Sequence, residues 1–245
     1  MALPWGVPSG TVGGPSGYTY GALAVRAPGE RDRFLAALRT VRFSGWVAPD
    51  DDDWAVAVPT RAGTAVAGGR RGLLELGAEI ARQFDAPVVA VRVLGDRQLV
   101  LVVWSGADEV GRYVSDPSHG VDDEAVLPMP MGSEHAAAFA DALGVPEAAD
   151  ELEELLAEEL DADSMIESER LAGVLRLLAL PGWLVSAASL PRDVPLGPRA
   201  REFTRLGAGV PGVRGRLLGR AVDVVRRRRH PPPVVVDPPR ADFFF

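Results

Sequence analysis

PVVAVRVLGDRQLVLVVWSGADEVGRYVSD, residues 87–116, decides the fold. Val88–Leu94 is β-branched or aliphatic apart from Arg92, and Leu99–Trp104 repeats the pattern with no charge. Runs this short and this rich in Val favour strand over helix. Gly95-Asp96 with Arg97 and Gln98 is a polar, Gly-containing connection of hairpin length. Gly106–Glu109 supplies a second turn, and Val110–Ser115 a third strand. Leu99–Trp104, apolar on both faces, belongs in the middle of a sheet, whereas the alternating Val110–Ser115 suits an edge. The stretch therefore predicts an antiparallel meander.

Working outward, Tyr18–Ala27 reads as a first strand stopped by Pro28-Gly29. Glu30–Val41 predicts a helix with Phe34, Leu35, Leu38 and Val41 on one face. Phe43–Ala48 and Trp54–Val58 predict a hairpin around Pro49 and Asp50–Asp53, and Thr60–Gly69 reads equally as strand or loop. Gly72–Phe84 predicts a second helix with Leu73, Leu76 and Ile80 inward. The order β-α-β-β-α-β-β-β implies an α+β fold, a largely antiparallel sheet with helices on one face.

Beyond the meander, residues 117–132 read as a long loop, and Ser133 as the cap of a helix over Glu134–Leu143. Glu147–Leu160 and a helix opened by Ser164 and Glu167, a capping-box pattern, predict a C-terminal helical hairpin beside the sheet. In the second of these Leu171, Val174, Leu175 and Leu178 face inward until Pro181-Gly182 ends it, and Trp183–Ala188 reads as a last strand or buried extended segment. The divisions that follow are a disordered Gly/Pro/Ser-rich N-terminus (1–17), an α+β domain (18–191) and an Arg/Pro-rich tail (192–245). The tail is expected to be partly disordered, with room for one helix over 213–229.

Composition narrows the chemistry. The 245 residues contain no cysteine, lysine or asparagine, which excludes disulfides, thiolate metal sites, Schiff-base lysines and P-loop phosphate binding. The use of Arg alone as the long cation fits a GC-rich genome. No apolar run reaches the ~20 residues of a membrane span, and the N-terminus lacks the basic-then-apolar pattern of a signal peptide. A cytoplasmic protein without a transmembrane segment is expected.

Charge divides the chain. Residues 1–191 hold 14 Arg against 29 Asp and Glu, a net of −15; residues 192–245 hold 12 Arg against 5 acids, a net of +7. The tail can fold back on the acidic body, or its Arg214, Arg216, Arg220, Arg226, Arg227, Arg228 and Arg229 can meet an anionic surface. A membrane outranks nucleic acid as that surface, because the tail has no Tyr or Trp to stack on bases and the body would repel phosphates.

The side-chain constellations are weak. Ser115, Asp116, Ser118 and His119 bring triad residue types together, but adjacency supplies no triad geometry, and a turn after a strand accounts for them. His119, Asp122, Asp123 and His135 match no metal-ligand spacing, and Asp50–Asp53 lacks the alternating ligands of an EF-hand. No cofactor is expected, and Trp46, Trp54, Trp104 and Tyr113 read as core. The chain thus reads as a non-catalytic protein-interaction module, of adaptor, regulatory or immunity type, presenting an acidic surface to a basic partner. Its expected contact residues are Asp50, Asp51, Asp52 and Asp53 on the hairpin tip and Glu151, Glu154 and Glu158 on the Glu-rich helix. The alternatives are a peripheral membrane or anionic-polymer adaptor acting through the tail and, third, a hydrolase-like enzyme.

Overall fold

The computed structural model describes residues 17–49, 53–119, 129–159, 167–215 and 217–218. In chain order its elements are β1 (Tyr20–Val25), α1 (Arg31–Thr40), β2 (Gly45–Val47), β3 (Ala55–Pro59), α2 (Leu73–Ala81), β4 (Pro87–Leu94), β5 (Gln98–Ser105), β6 (Asp108–Val114), α3 (Ala136–Ala142), α4 (Ala149–Ala157), α5 (Glu167–Leu177), β7 (Thr204–Gly207) and β8 (Val210–Pro211). The strands make one sheet in the order β6-β5-β4-β1-β3-β2-β7-β8, antiparallel at every pairing. The class is α+β, as the sequence implies.

The meander forms where expected. Leu94 pairs with Gln98 across a turn in which Gly95 and Asp96 both have positive φ, the handedness that suits a tight hairpin. On β4 and β5 the side chains alternate between two cores. Val88, Ala90, Val100, Val102 and Trp104 pack with Phe34 and Leu38 of α1 and Leu73, Leu76 and Ile80 of α2. Val89, Val91, Val93, Leu99, Leu101 and Val103 join Phe139 of α3, Leu152 and Leu156 of α4, and Leu171, Val174 and Leu175 of α5. Helices on both faces explain why β5 reads as apolar throughout. The two early helices share one face, and the later helices pack on the opposite face. β5 is flanked on both sides but sits one strand in from the edge, with β6 as the edge strand.

The structure differs from expectation after α5. Gly182–Ser189 is a run of 3₁₀ helix, not a strand, with Trp183, Leu184 and Ala187 buried against the sheet. The sheet also continues past residue 191: β7 pairs with β2, and β8 extends it by one two-residue edge. Arg31 ties this addition to the body, its guanidinium donating to the Ala48 carbonyl and the Thr204 hydroxyl, both at 2.8 Å. Trp183 meets Phe203 edge-on at 5.8 Å, and Arg205 lies over Trp46. Trp46, Trp54, Trp104 and Tyr113 are all buried. The expectations for residues 1–16, for Asp50, Asp51 and Asp52, for the loop interior, for the Ser164 cap, and for Arg216, Arg220, Arg226, Arg227, Arg228 and Arg229 fall outside the described residues.

Candidate functional site

α4 carries two stripes. Leu152 and Leu156 point into the core, while Glu151 and Glu154, spaced i, i+3, fall on the side turned toward α5, and Glu158, in extended backbone just past the helix end, lines the same side. Between the two helices runs an open groove of about 560 Å³. Leu155, Ala157, Leu177 and Gly173 give it an apolar floor, and the three glutamates rim it. Gly173 lets the helices approach, since a Cβ there would meet the Leu155 side chain. Among the described residues that line it, the one cation is Arg176, which pairs with Glu151 at 2.9 Å with both side chains well exposed. Glu154 and Glu158 have no such partner among the described residues and face solvent.

Beneath the groove, α5 is fixed by a buried polar cluster. Glu167 and Arg170 share the inward stripe with Leu171 and Val174, and both are fully buried. The Arg170 guanidinium donates to the Tyr113 hydroxyl of β6 and, at 2.5 Å, to the Glu158 carbonyl. A cation on that carbonyl caps the C-terminal end of α4, so one side chain locks both walls of the groove to the sheet. Arg170 Nε lies 3.8 Å from Glu167 Oε2, too far for a hydrogen bond, and neither carboxylate oxygen of Glu167 has a hydrogen-bond partner among the described residues. Burial pushes the Glu167 carboxyl above the ordinary carboxylate range; the Ser115 hydroxyl and Arg170 pull it down without closing a bond, and Asp116 and Asp96 push it further up. Burial likewise raises the Tyr113 phenol. Alongside, Tyr20 donates to Ser168 at 2.8 Å, and Ser168 to the Asp96 carboxylate. Burial raises the Tyr20 phenol to about 12.

The remaining candidate residues do not converge. Asp53 is exposed at the hairpin end. Ser115 is buried and its hydroxyl accepts the Leu99 N–H. The Asp116 carboxylate accepts the Ser118 N–H and hydroxyl, closing a turn that also holds His119. His135 packs beside Phe139. No group of three or more His, Asp or Glu that could hold a metal occurs among the described residues. Nor is any of their helices long and apolar enough to cross a membrane.

The Glu-rich face of α4 is legible in the sequence; its groove is not, because α5 supplies the second wall. The buried pair leaves only one trace, that Glu167 and Arg170 fall on the same helical stripe as Leu171 and Val174. No family model, curated protein or solved structure matches the chain.

Proposed function

We propose that this protein is a non-catalytic interaction module of the cytoplasm whose α4–α5 groove receives a basic segment of a partner protein. The observation that supports it is the groove's make-up: an apolar floor, Glu151, Glu154 and Glu158 along one wall, and Arg176 as the single opposing cation among the described residues of the rim. An extended or helical peptide can bury an aliphatic anchor on Leu155 and Leu177 while its arginines reach the carboxylates. A net charge of −8 also speeds the encounter with a cationic partner. A rigid platform suits this role, and the Arg170 clamp provides one.

The test is a fluorescence anisotropy titration of the full chain with a labelled peptide of alternating Arg and Leu. The triple variant E151Q/E154Q/E158Q is expected to weaken binding about tenfold, the scale of three partly screened charge pairs. R176Q, which frees Glu151, should tighten it. A control triple, E30Q/D108N/E109Q, removes the same charge from exposed sites elsewhere and should leave affinity nearly unchanged. Equal losses in the two triples would mean that net charge alone draws the peptide, and the groove reading would fall.

A further inference from the structure

The sheet's last strand leads into a helical turn, residues 212–215 and 217–218, whose apolar side chains face water. Gly215 is buried against the β7–β8 hairpin, where a Cβ would collide with the Val210 carbonyl, and a Cβ on Gly207 would collide with the Gly215 carbonyl. This backbone-to-backbone contact fixes the turn on the sheet edge. Val213, Leu217 and Leu218 nevertheless remain 70%, 62% and 45% exposed, three of the six large exposed hydrophobics among the described residues. A clustered set on one short element differs from the scattered apolar residues of an ordinary surface.

Cations flank this apolar set. Arg214 lies in the turn itself and is exposed. The hairpin that carries the turn packs on the end of α1: the Gly209 N–H donates to the Phe43 carbonyl at 2.8 Å, and a Cβ on Gly209 would lie 3.2 Å from the Cα atoms of both Arg39 and Arg42. Those two arginines are exposed as well, and none of the three pairs with a carboxylate among the described residues.

The α4–α5 groove is the complement of this edge, with Leu155 and Leu177 on its floor and Glu151, Glu154 and Glu158 on its rim. We infer that the protein assembles head-to-tail: the groove of one copy receives Val213, Leu217 and Leu218 of a second, whose Arg39, Arg42 and Arg214 face the glutamates. The inference rests on the groove reading above and makes another copy of the chain the basic partner. Apolar burial supplies the affinity, and the opposed charges set the register and speed the encounter. A copy cannot fill its own groove. Helix α5 packs on β5, six strand spacings from β8, or about 29 Å at ~4.8 Å each, and the Gly215 contact holds the turn at its own edge. Because the two surfaces differ, each pair still offers a free groove at one end and a free turn at the other, so growth does not stop at two copies.

Sedimentation velocity of the full chain, from micromolar to millimolar concentration at low and high salt, tests it. The mean mass is expected to climb with concentration at low salt and to fall where salt screens the charge pairs. L217D/L218D, which removes the apolar contact and sets carboxylates against the glutamate rim, should weaken assembly by roughly a hundredfold. The milder R39S/R42S should weaken it by about tenfold at low salt only. E151R/E154R/E158R should also be monomeric. This variant keeps its turn and L217D/L218D keeps its groove, so an equimolar mixture of the two should form pairs that grow no further. A parent that stays monomeric at low salt, assembly that L217D/L218D leaves intact, or a mixture that grows beyond pairs overturns the inference. The arginine–leucine peptide separates the two failures: if it still binds a parent that does not assemble, the groove reading stands and only the second copy falls.

Discussion

Glu167 shows how a single buried group sets a pH response. Its folded-state pKa is raised, chiefly by burial, so the folded chain keeps a proton that the unfolded chain gives up near the ordinary Glu value of about 4.3. Stability from that proton is complete below the unfolded value and is lost as pH climbs through the raised one. Glutamine cannot ionise. Glu167→Gln should therefore melt like the parent in acid and progressively higher than the parent as pH rises toward neutral, as thermal unfolding across pH will show; parallel curves would refute it. A second position tests packing. A Cβ on Gly77 of α2 would sit 2.7 Å from the Trp104 ring. Alanine gains about 1 kcal/mol of helix propensity, but a rigid, buried indole forces overpacking worth ~1–3 kcal/mol. Gly77→Ala is expected to lower the denaturant midpoint despite the better helix former.

At the scale of elements, Arg170 joins α4, α5 and β6 through one guanidinium. Arg170→Met leaves the Tyr113 hydroxyl and the Glu158 carbonyl short of a donor and Glu167 without a nearby cation. A loss of about 2–4 kcal/mol follows from breaking a buried polar pair. The double variant Glu167→Gln/Arg170→Met removes the stranded carboxyl and should recover part of that loss; chemical denaturation of the three variants measures both. The elements differ in how far sequence reveals them. Val-rich runs and hairpin turns mark β4 and β5 because local periodicity and burial agree there. Trp183, Leu184 and Ala187 look like strand, yet they fit a 3₁₀ run, because the spacing i, i+1, i+4 turns all three toward the sheet. β7 and β8 leave almost no signal: Thr204–Gly207 is short and partly polar, Val210–Pro211 is only two residues, and pairing alone, β7 with β2 and β8 with β7, makes them strands.

For the whole molecule, that late pairing carries the folded body past residue 191. Charge and composition change near residue 191, but the hydrogen bonds do not stop there. Gly45, Trp46 and Val47 of β2 pair with Leu206, Arg205 and Thr204, and Phe203 and Leu206 are buried, one in each core. A chain ending at 191 would expose the β2 edge and uncover Trp46 and Trp183, whose neighbours Arg205 and Phe203 would be missing. Burying two such side chains is worth about 1.5–3 kcal/mol each, a large share of the stability of a typical domain. An unpaired β2 would also offer a template for intermolecular strand addition. Residues 1–191 should accordingly melt well below the full chain and self-associate on warming, whereas residues 1–218, which keep β7, β8 and the anchored turn at Gly215, should match it. Scanning calorimetry with light scattering on the three lengths checks this, and equal melting of 1–191 and 1–218 would show that the added strands decorate the sheet without supporting it.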